Sequence, residues 1–227
     1  MRMGIRRSLV IAPHADDEVL GCGGTLLRRK TEGAVLGWLL LTKVTENQGW
    51  DKVRITERQR EIEHVRNMLG IESENLFELD FEATYLDQVP MAELVRRISE
   101  VFTEFRPEEV LVPHSRDIHS DHRVCSDAVA ACTKWFRYPF VRQVFAYETL
   151  SETDFVLRSE DVFVPNVYVD VSQFIEQKIE LMNTYRSELG RHPFPRSETS
   201  IRALAALRGA QSGFVSAEAF ELLRVRI

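Results

Sequence analysis

The stretch SLVIAPHADDEVLGCGG, residues 8–24, contains the clearest fold signal of this chain. An apolar run ends there at a proline, and a histidine and three acidic residues follow within His14–Glu18. A short apolar run with this boundary predicts a buried strand over 8–14, and the residues after it predict a helix over 21–30. A buried strand that leads into a helix is typical of an α/β fold with a parallel sheet.

Strand and helix signals alternate along the rest of the chain. The predicted strands are 8–14, 35–44, 75–81, 109–114, 143–150 and 167–172, and the predicted helices are 21–30, 55–70, 90–105, 121–135, 173–189 and 197–209. Gly70 and Ser197 are predicted caps of two of these helices. The alternation predicts a three-layer, Rossmann-like α/β fold whose mostly parallel sheet is covered on both faces. No linker or repeat divides the chain, so we expect a single domain over residues 1–227.

The composition argues against several classes of function. The 227 residues carry a formal net charge of −6 with scattered lysines and arginines, so no basic stripe indicates nucleic-acid binding. The three cysteines form no CxxC pair, and their odd number disfavours a disulfide framework. The N-terminal apolar run is too short for a signal sequence, and no stretch approaches the roughly 18 apolar residues of a membrane span. We therefore expect a soluble, cytoplasmic protein without a membrane span.

The acidic run after the first strand is the first candidate site. His14 and Asp17 have the spacing of two metal ligands, and Asp16 lies between them. An imidazole and a carboxylate suit zinc or another divalent transition metal. An aspartate at a strand-to-helix junction is also a common N-cap, which accounts for one of the two adjacent aspartates. Like charges in one loop oppose folding, so the run as a whole indicates a bound cation.

A second cluster, PHSRDIHSDHR over residues 113–123, contains half of the six histidines of the chain. It follows another predicted strand, and ligands in such folds gather at the carboxyl ends of strands. The alternative is a polar loop in which Ser120 or Asp121 caps the next helix. We expect instead that one histidine of this second cluster completes a metal site with His14 and Asp17.

These parts suit metal-assisted hydrolysis of an amide or ester. Three protein ligands with an open fourth position are typical of catalytic zinc, which lowers the pKa of its water to about 7. Asp16 is then placed to act as the general base. The histidine that does not bind metal would donate a proton or stabilise an oxyanion, with an aspartate beside it to orient the ring.

The two motifs PHADDE and DIHSDHR together resemble the LmbE-like/PIG-L family of zinc-dependent de-N-acetylases. The similarity extends to ERQREIEHVRNMLG and to the C-terminal segments NVYVDVSQFIEQKIELMNTYRSEL and IRALAALRGAQSGFVSAEAFELL. The resemblance implies an enzyme that removes the N-acetyl group of an N-acetylglucosamine-type sugar conjugate. The roles it implies are zinc ligation by His14, Asp17 and His122, general base catalysis by Asp16, and an electrophilic or acid role for His119 with Asp121 orienting it.

The substrate contacts follow less closely from the resemblance. It implies Arg58 as a substrate contact and Asp80 or Asp87 as partners of sugar hydroxyls. Two places depart from the family pattern: Asp117 stands where some members have a tyrosine, and TENQGW stands where many have a Gly-Glu pair. Alternatives are the same chemistry on a non-sugar N-acyl substrate and a metal-binding protein without catalysis. The resemblance also leaves a homo-oligomer open.

Overall fold

The apolar run that follows Arg7 forms an interior strand of a seven-stranded sheet in the computed structural model, which describes residues 5–227. The run is fully buried from Leu9 to Ala12, as its composition predicts. The strands are β1 (Arg7–Ala12), β2 (Val35–Lys43), β3 (Leu76–Glu82), β4 (Glu109–Pro113), β5 (Gln143–Tyr147), β6 (Val167–Asp170) and β7 (Ala217–Val225). Their order across the sheet is β3-β2-β1-β4-β5-β7-β6.

The sheet is mostly parallel, with one antiparallel strand. Strands β3, β2, β1, β4 and β5 run parallel to one another, and β7 lies antiparallel between β5 and β6. No strand is predicted at β7 from the sequence, because Glu218 and Glu221 interrupt its apolar pattern and its second half is exposed. Glu218 is nevertheless buried, since the ammonium group of Lys178 lies 2.6 Å from its carboxylate.

Six helices cover the two faces of the sheet. They are α1 (Asp17–Thr31), α2 (Lys52–Leu69), α3 (Met91–Phe105), α4 (Ser120–Ala131), α5 (Ile175–Thr184) and α6 (Glu198–Ser212). The predicted caps are present: Gly70 ends α2 with a φ of 71°, and the Ser197 side chain accepts the Ser200 N–H of α6. Several boundaries differ from prediction. Helix α1 begins four residues before Gly21, α4 ends before Trp135, which is exposed, and α5 ends five residues before Leu189.

Two apolar cores lie on opposite faces of the sheet. One contains residues of α1, α2, α5 and α6, and the other contains residues of α3 and α4. The three-layer α/β architecture predicted from the sequence is therefore confirmed. The glycines of α1 allow this helix to approach the sheet closely, because a Cβ on Gly21 would collide with the Tyr147 ring and one on Gly24 would lie 2.8 Å from Val171.

The strand order has a topological switch point between β1 and β4. These strands are neighbours, but the chain leaves β1 for β2 on one side and reaches β4 on the other. In open α/β sheets such a switch point forms a crevice beyond the carboxyl ends of the strands. Within residues 5–227, no helix is both long and apolar enough to cross a bilayer. The first four residues of the N-terminal segment judged too short for a signal sequence lie outside the described residues.

Candidate active site

The two sequence clusters meet beyond the carboxyl ends of β1 and β4. The ring of His14, just after β1, lies 4.5 Å from the His119 ring and 5.5 Å from the His122 ring between centroids. His119 is the residue before α4 and His122 lies in its first turn. The structure therefore brings together groups that are more than 100 residues apart in the chain.

His14, Asp17 and His122 form a group with the geometry of a metal site. The Asp17 Oδ2 atom lies 3.4 Å from His14 Nδ1 and 3.2 Å from His122 Nε2. Ligand atoms bound to tetrahedral zinc at about 2.0–2.1 Å lie about 3.3 Å apart, so these spacings fit an ion of this kind. His122 Nε2 is buried and makes no hydrogen bond to the described residues. Two imidazoles and a carboxylate are a donor set that fits the metal that the sequence predicts.

Each of the two histidines of this group also contacts a buried carboxylate with its other nitrogen. His14 Nε2 lies 2.9 Å from Asp121 Oδ2, and His122 Nδ1 lies 2.8 Å from Asp117 Oδ2. Metal-binding histidines in proteins usually donate their second N–H to a carboxylate, which fixes the tautomer and the orientation of the ring. Asp117 and Asp121 are both fully buried. Asp117, which stands where some family members have a tyrosine, is thus the carboxylate partner of His122.

Asp121 has a different side-chain partner from the one that the resemblance implies. Its oxygens accept the N–H groups of Thr84 and Leu86 and contact His14, whereas they make no hydrogen bond to His119. Its main-chain N–H instead donates to His119 Nδ1 over 3.1 Å. Asp121 therefore orients the His119 ring through its backbone and the His14 ring through its side chain.

The charges of the group are arranged to accept a cation. Burial lowers the pKa of His14, but contacts with Asp121 and Asp17 outweigh this and raise it to about 9. Burial also opposes protonation of His122, yet Asp17 and Asp117 raise its pKa well above the usual range. Burial would raise the pKa of Asp17, but the two histidines lower it well below the usual range. Without a metal, protons on the imidazoles balance the carboxylates, and a divalent cation would replace them.

Asp16 occupies the position before α1 but does not cap it. Its φ of 146° is rare for a residue with a side chain, and its carboxylate makes no capping hydrogen bond. The Glu18 side chain accepts the Asp16 N–H over 3.1 Å, and Arg196 Nη1 lies 3.1 Å from Asp16 Oδ2. Backbone strain of this kind is concentrated at functional sites. Burial and the adjacent Asp17 raise the pKa of Asp16 to about 7, although Arg196 opposes the shift.

His119 is neutral at physiological pH. Burial and the neighbouring His14 and His122 lower its pKa to about 4. Because Nδ1 accepts the Asp121 main-chain N–H, the ring proton of neutral His119 is assigned to Nε2. The residue thus offers an N–H donor at the site, which suits stabilisation of a developing oxyanion.

These groups line one end of a cleft of about 330 Å³. Arg58 and Trp50 also line it, as does Asp80, whose exposed side chain pairs with Lys43. The Arg58 guanidinium contacts the Ala15 carbonyl, Glu61 and Glu188. Asp87 is exposed and lies outside the cleft lining, so the structure does not place it with the other predicted substrate contacts.

Sequence reasoning missed five charged residues of the cleft, of which Lys43 and Glu78 lie on β2 and β3. Arg196 and Glu188 lie on the segment between α5 and α6, and Glu152 follows β5. No local pattern identifies them, because an isolated arginine or glutamate in a polar segment is ordinary surface composition. Arg196 is 180 residues from its partner Asp16, and only the folded chain brings them together.

The chain is similar to proteins of one family. Residues 9–133, more than half of the chain, match the family described as PIG-L: GlcNAc-PI de-N-acetylase. A diacetylchitobiose deacetylase from Thermococcus kodakarensis is 25% identical over 94% of this chain and 82% of its own length.

Two solved structures share the fold. The N,N'-diacetylchitobiose deacetylase from Pyrococcus horikoshii superposes with a TM-score of 0.77 at 19% identity, covering 96% of this chain and 84% of that chain. A conserved protein from Thermus thermophilus, TT1542, superposes with a TM-score of 0.77 at 28% identity, covering 97% of this chain and 96% of that chain. From the family match, the paired motifs and their convergence beyond β1 and β4, the chain belongs to the PIG-L, or LmbE-like, family.

Proposed function

We propose that this protein is a zinc-dependent N-deacetylase that hydrolyses the acetamide of an N-acetylglucosamine-type sugar conjugate. The convergence of His14, Asp17 and His122 beside Asp16 and His119 carries the proposal. Membership of a de-N-acetylase family supports the same reaction, as does the deacetylase activity named for the relative from Thermococcus kodakarensis. Another divalent transition metal would fit the same ligands.

Each residue of the site would have its own role in the proposed hydrolysis. His14, Asp17 and His122 would hold the metal, which when bound supplies a Lewis acid and increases the acidity of water. Asp16 would accept the proton of the attacking water, and a pKa near neutrality suits a general base. The divalent cation would lower this pKa from about 7, so the carboxylate would be ionised under working conditions.

His119 and Arg196 would complete the site. The Nε2–H of His119 would stabilise the oxygen of the tetrahedral intermediate, and the proton that Asp16 has taken from the water would then pass to the leaving amine as the C–N bond breaks. Arg196 would keep Asp16 in place in the resting site through their ion pair. Arg58 would position the loop before α1 through the Ala15 carbonyl, besides lining the cleft for the sugar.

The first test is acetate release from a panel of N-acetylglucosamine glycosides, with and without a chelator, alongside elemental analysis of the protein. We expect one equivalent of metal and acetate release that the chelator abolishes. Acyl amino acids and acylated peptides belong in the same panel, because they represent the non-sugar alternative. Metal without turnover on any substrate would favour a metal-binding protein without catalysis, and absence of metal would refute the site.

The adjacent aspartates provide the sharper test. Asp16→Asn should retain the metal and lose activity by about 10²–10⁴-fold, the usual contribution of a general base. Asp17→Asn should lose the metal itself, because a ligand is removed. Asp127→Asn, an exposed change on α4, is the matched control. Near-normal turnover by Asp16→Asn would overturn the assignment of the base.

We further propose a single domain over residues 1–227 that works in the cytoplasm on a small-molecule substrate. The continuous sheet, to which segments from both ends of the described chain contribute strands, supports one domain. The three cysteines are buried and unpaired, which is compatible with a reducing compartment. The family resemblance leaves a homo-oligomer open, and gel filtration with light scattering would determine its size.

A further inference from the structure

The cleft extends from the metal-ligand group toward the edge strand β3. Glu78 and Asp80 line it from β3, and Trp50 and Ile55 line it from the segment after β2 and from α2. We call these four residues the β3 side of the cleft. Because β3 is two strands away from β1, and strands are spaced by about 4.8 Å, this side lies roughly 10 Å from the ligands that follow β1. That distance exceeds one sugar ring, so the β3 side would contact the part of the substrate beyond the N-acyl sugar.

The basic groups of the cleft are already paired with carboxylates. Arg58 forms ion pairs with Glu61 and Glu188. Arg196 forms ion pairs with Asp16 and Glu188. A phosphate or carboxylate on the substrate would have to displace one of these partners.

The third basic group is more exposed, and it too is paired. Lys43 lies 3.1 Å from Asp80 in the region of the β3 side. Histidines of the cleft face the metal group rather than this side. Within residues 5–227, the cleft therefore presents no basic side chain that lacks an acidic partner.

Two acidic residues of the cleft form no ion pair with a described basic residue. Neither Glu78 nor Glu152 forms an ion pair with a described basic residue, and Glu78 makes only long contacts of 3.4 and 3.5 Å with Gln59 Nε2. Including these two, the lining contains six acids and three basic residues: Asp16, Asp17, Glu78, Asp80, Glu152 and Glu188 against Lys43, Arg58 and Arg196. One divalent cation would still leave these residues with one excess negative charge.

We propose that the β3 side of the cleft selects N-acyl sugars whose remaining part carries an amino group, tolerates neutral ones and disfavours phosphate- or carboxylate-bearing ones. An ammonium group would find the unpaired Glu78 carboxylate, whereas an anion would meet repulsion and no available cation. The Trp50 and Ile55 side chains would accept the apolar face of a sugar or linker. This inference rests on the proposed deacetylase function and specifies its substrate class.

The test uses three glycosides that share one N-acetylglucosamine and differ only in the aglycone: 2-aminoethyl, 2-hydroxyethyl and carboxymethyl. Their dissociation constants for the metal-loaded Asp16→Asn protein are measured by calorimetry, and acetate release is measured with the unaltered enzyme. We expect the aminoethyl glycoside to bind about fivefold more tightly than the carboxymethyl glycoside, with the neutral one between them. High salt should reduce this ratio, because the charges face solvent.

Glu78→Gln should bring the ratio of the two charged glycosides close to one, while Glu72→Gln, an exposed change outside the cleft, should leave it unaltered. Equal or tighter binding of the carboxymethyl glycoside would overturn this inference while leaving the deacetylase function intact. Binding in the expected order without acetate release would instead refute the proposed reaction and keep the charge selectivity. A ratio unaffected by Glu78→Gln would also contradict the role of the β3 side.

Discussion

Replacement of Asp117 should weaken metal binding although this residue is not a ligand. Its Oδ2 atom lies 2.8 Å from His122 Nδ1, and both side chains are at most 1% exposed. With a metal on Nε2, the Nδ1–H group donates to this carboxylate and holds the ring toward the ion. In metalloproteins, loss of such a partner typically costs 10–100-fold in affinity. We expect Asp117→Ala to lose metal affinity by about this factor, or about 1.4–2.8 kcal/mol.

Asp117→Asn separates the two contributions of the carboxylate. The amide oxygen can still accept the Nδ1–H of His122, so the ring orientation is retained and only the charge is lost. We therefore expect an intermediate affinity, closer to the unaltered protein than that of Asp117→Ala. Asp127→Asn removes an exposed carboxylate from α4, the helix that carries His122, and should bind metal normally.

The assay is competition with a chromogenic chelator at fixed pH, combined with elemental analysis and circular dichroism of each variant. Circular dichroism identifies a variant that has lost its fold, since Asp117 is buried. A folded Asp117→Ala protein that binds metal within about threefold of the unaltered protein would refute the reasoning. So would an Asn variant weaker than the Ala variant, because the hydrogen bond would then have no part in the effect.

Three further predictions concern the metal group and the core. Because the pKa of metal-free His14 is raised to about 9, metal binding displaces a proton from this residue below that pH. Metal affinity should therefore fall about tenfold per pH unit for each displaced proton as the pH decreases. Titrations at several pH values that all give the same affinity would contradict this. Gly21→Ala should lower the free energy of unfolding in urea by about 1–3 kcal/mol, and Gly23→Ala by less, since the first alone meets a buried ring. Lys178→Met should cost about 3–5 kcal/mol by leaving Glu218 buried and uncompensated, and adding Glu218→Gln should recover part of it.

The order of strands and helices could largely be predicted because its signals are local. The apolar run before His14 and the caps at Gly70 and Ser197 depend on neighbouring residues alone. Strand β7 was not predicted, because Glu218 is compatible with a buried strand only when Lys178, 40 residues away, neutralises it. Local pattern cannot report a charge that another element supplies.

For the candidate site, the sequence alone predicted which residue types would meet, since both clusters follow parallel strands whose carboxyl ends share one edge of the sheet. The residues indicated His14, Asp17 and one histidine of the second cluster, and the family resemblance implied His122; the structure places the ligand atoms of these three residues together. The hydrogen-bond and ion-pair partners depend on the tertiary structure: Asp121 contacts His14, Asp117 contacts His122, and Arg196 contacts Asp16 next to the group. Hydrogen bonds and ion pairs need distances of about 3 Å, which only the packed chain sets, whereas the motif sets the donors and acceptors.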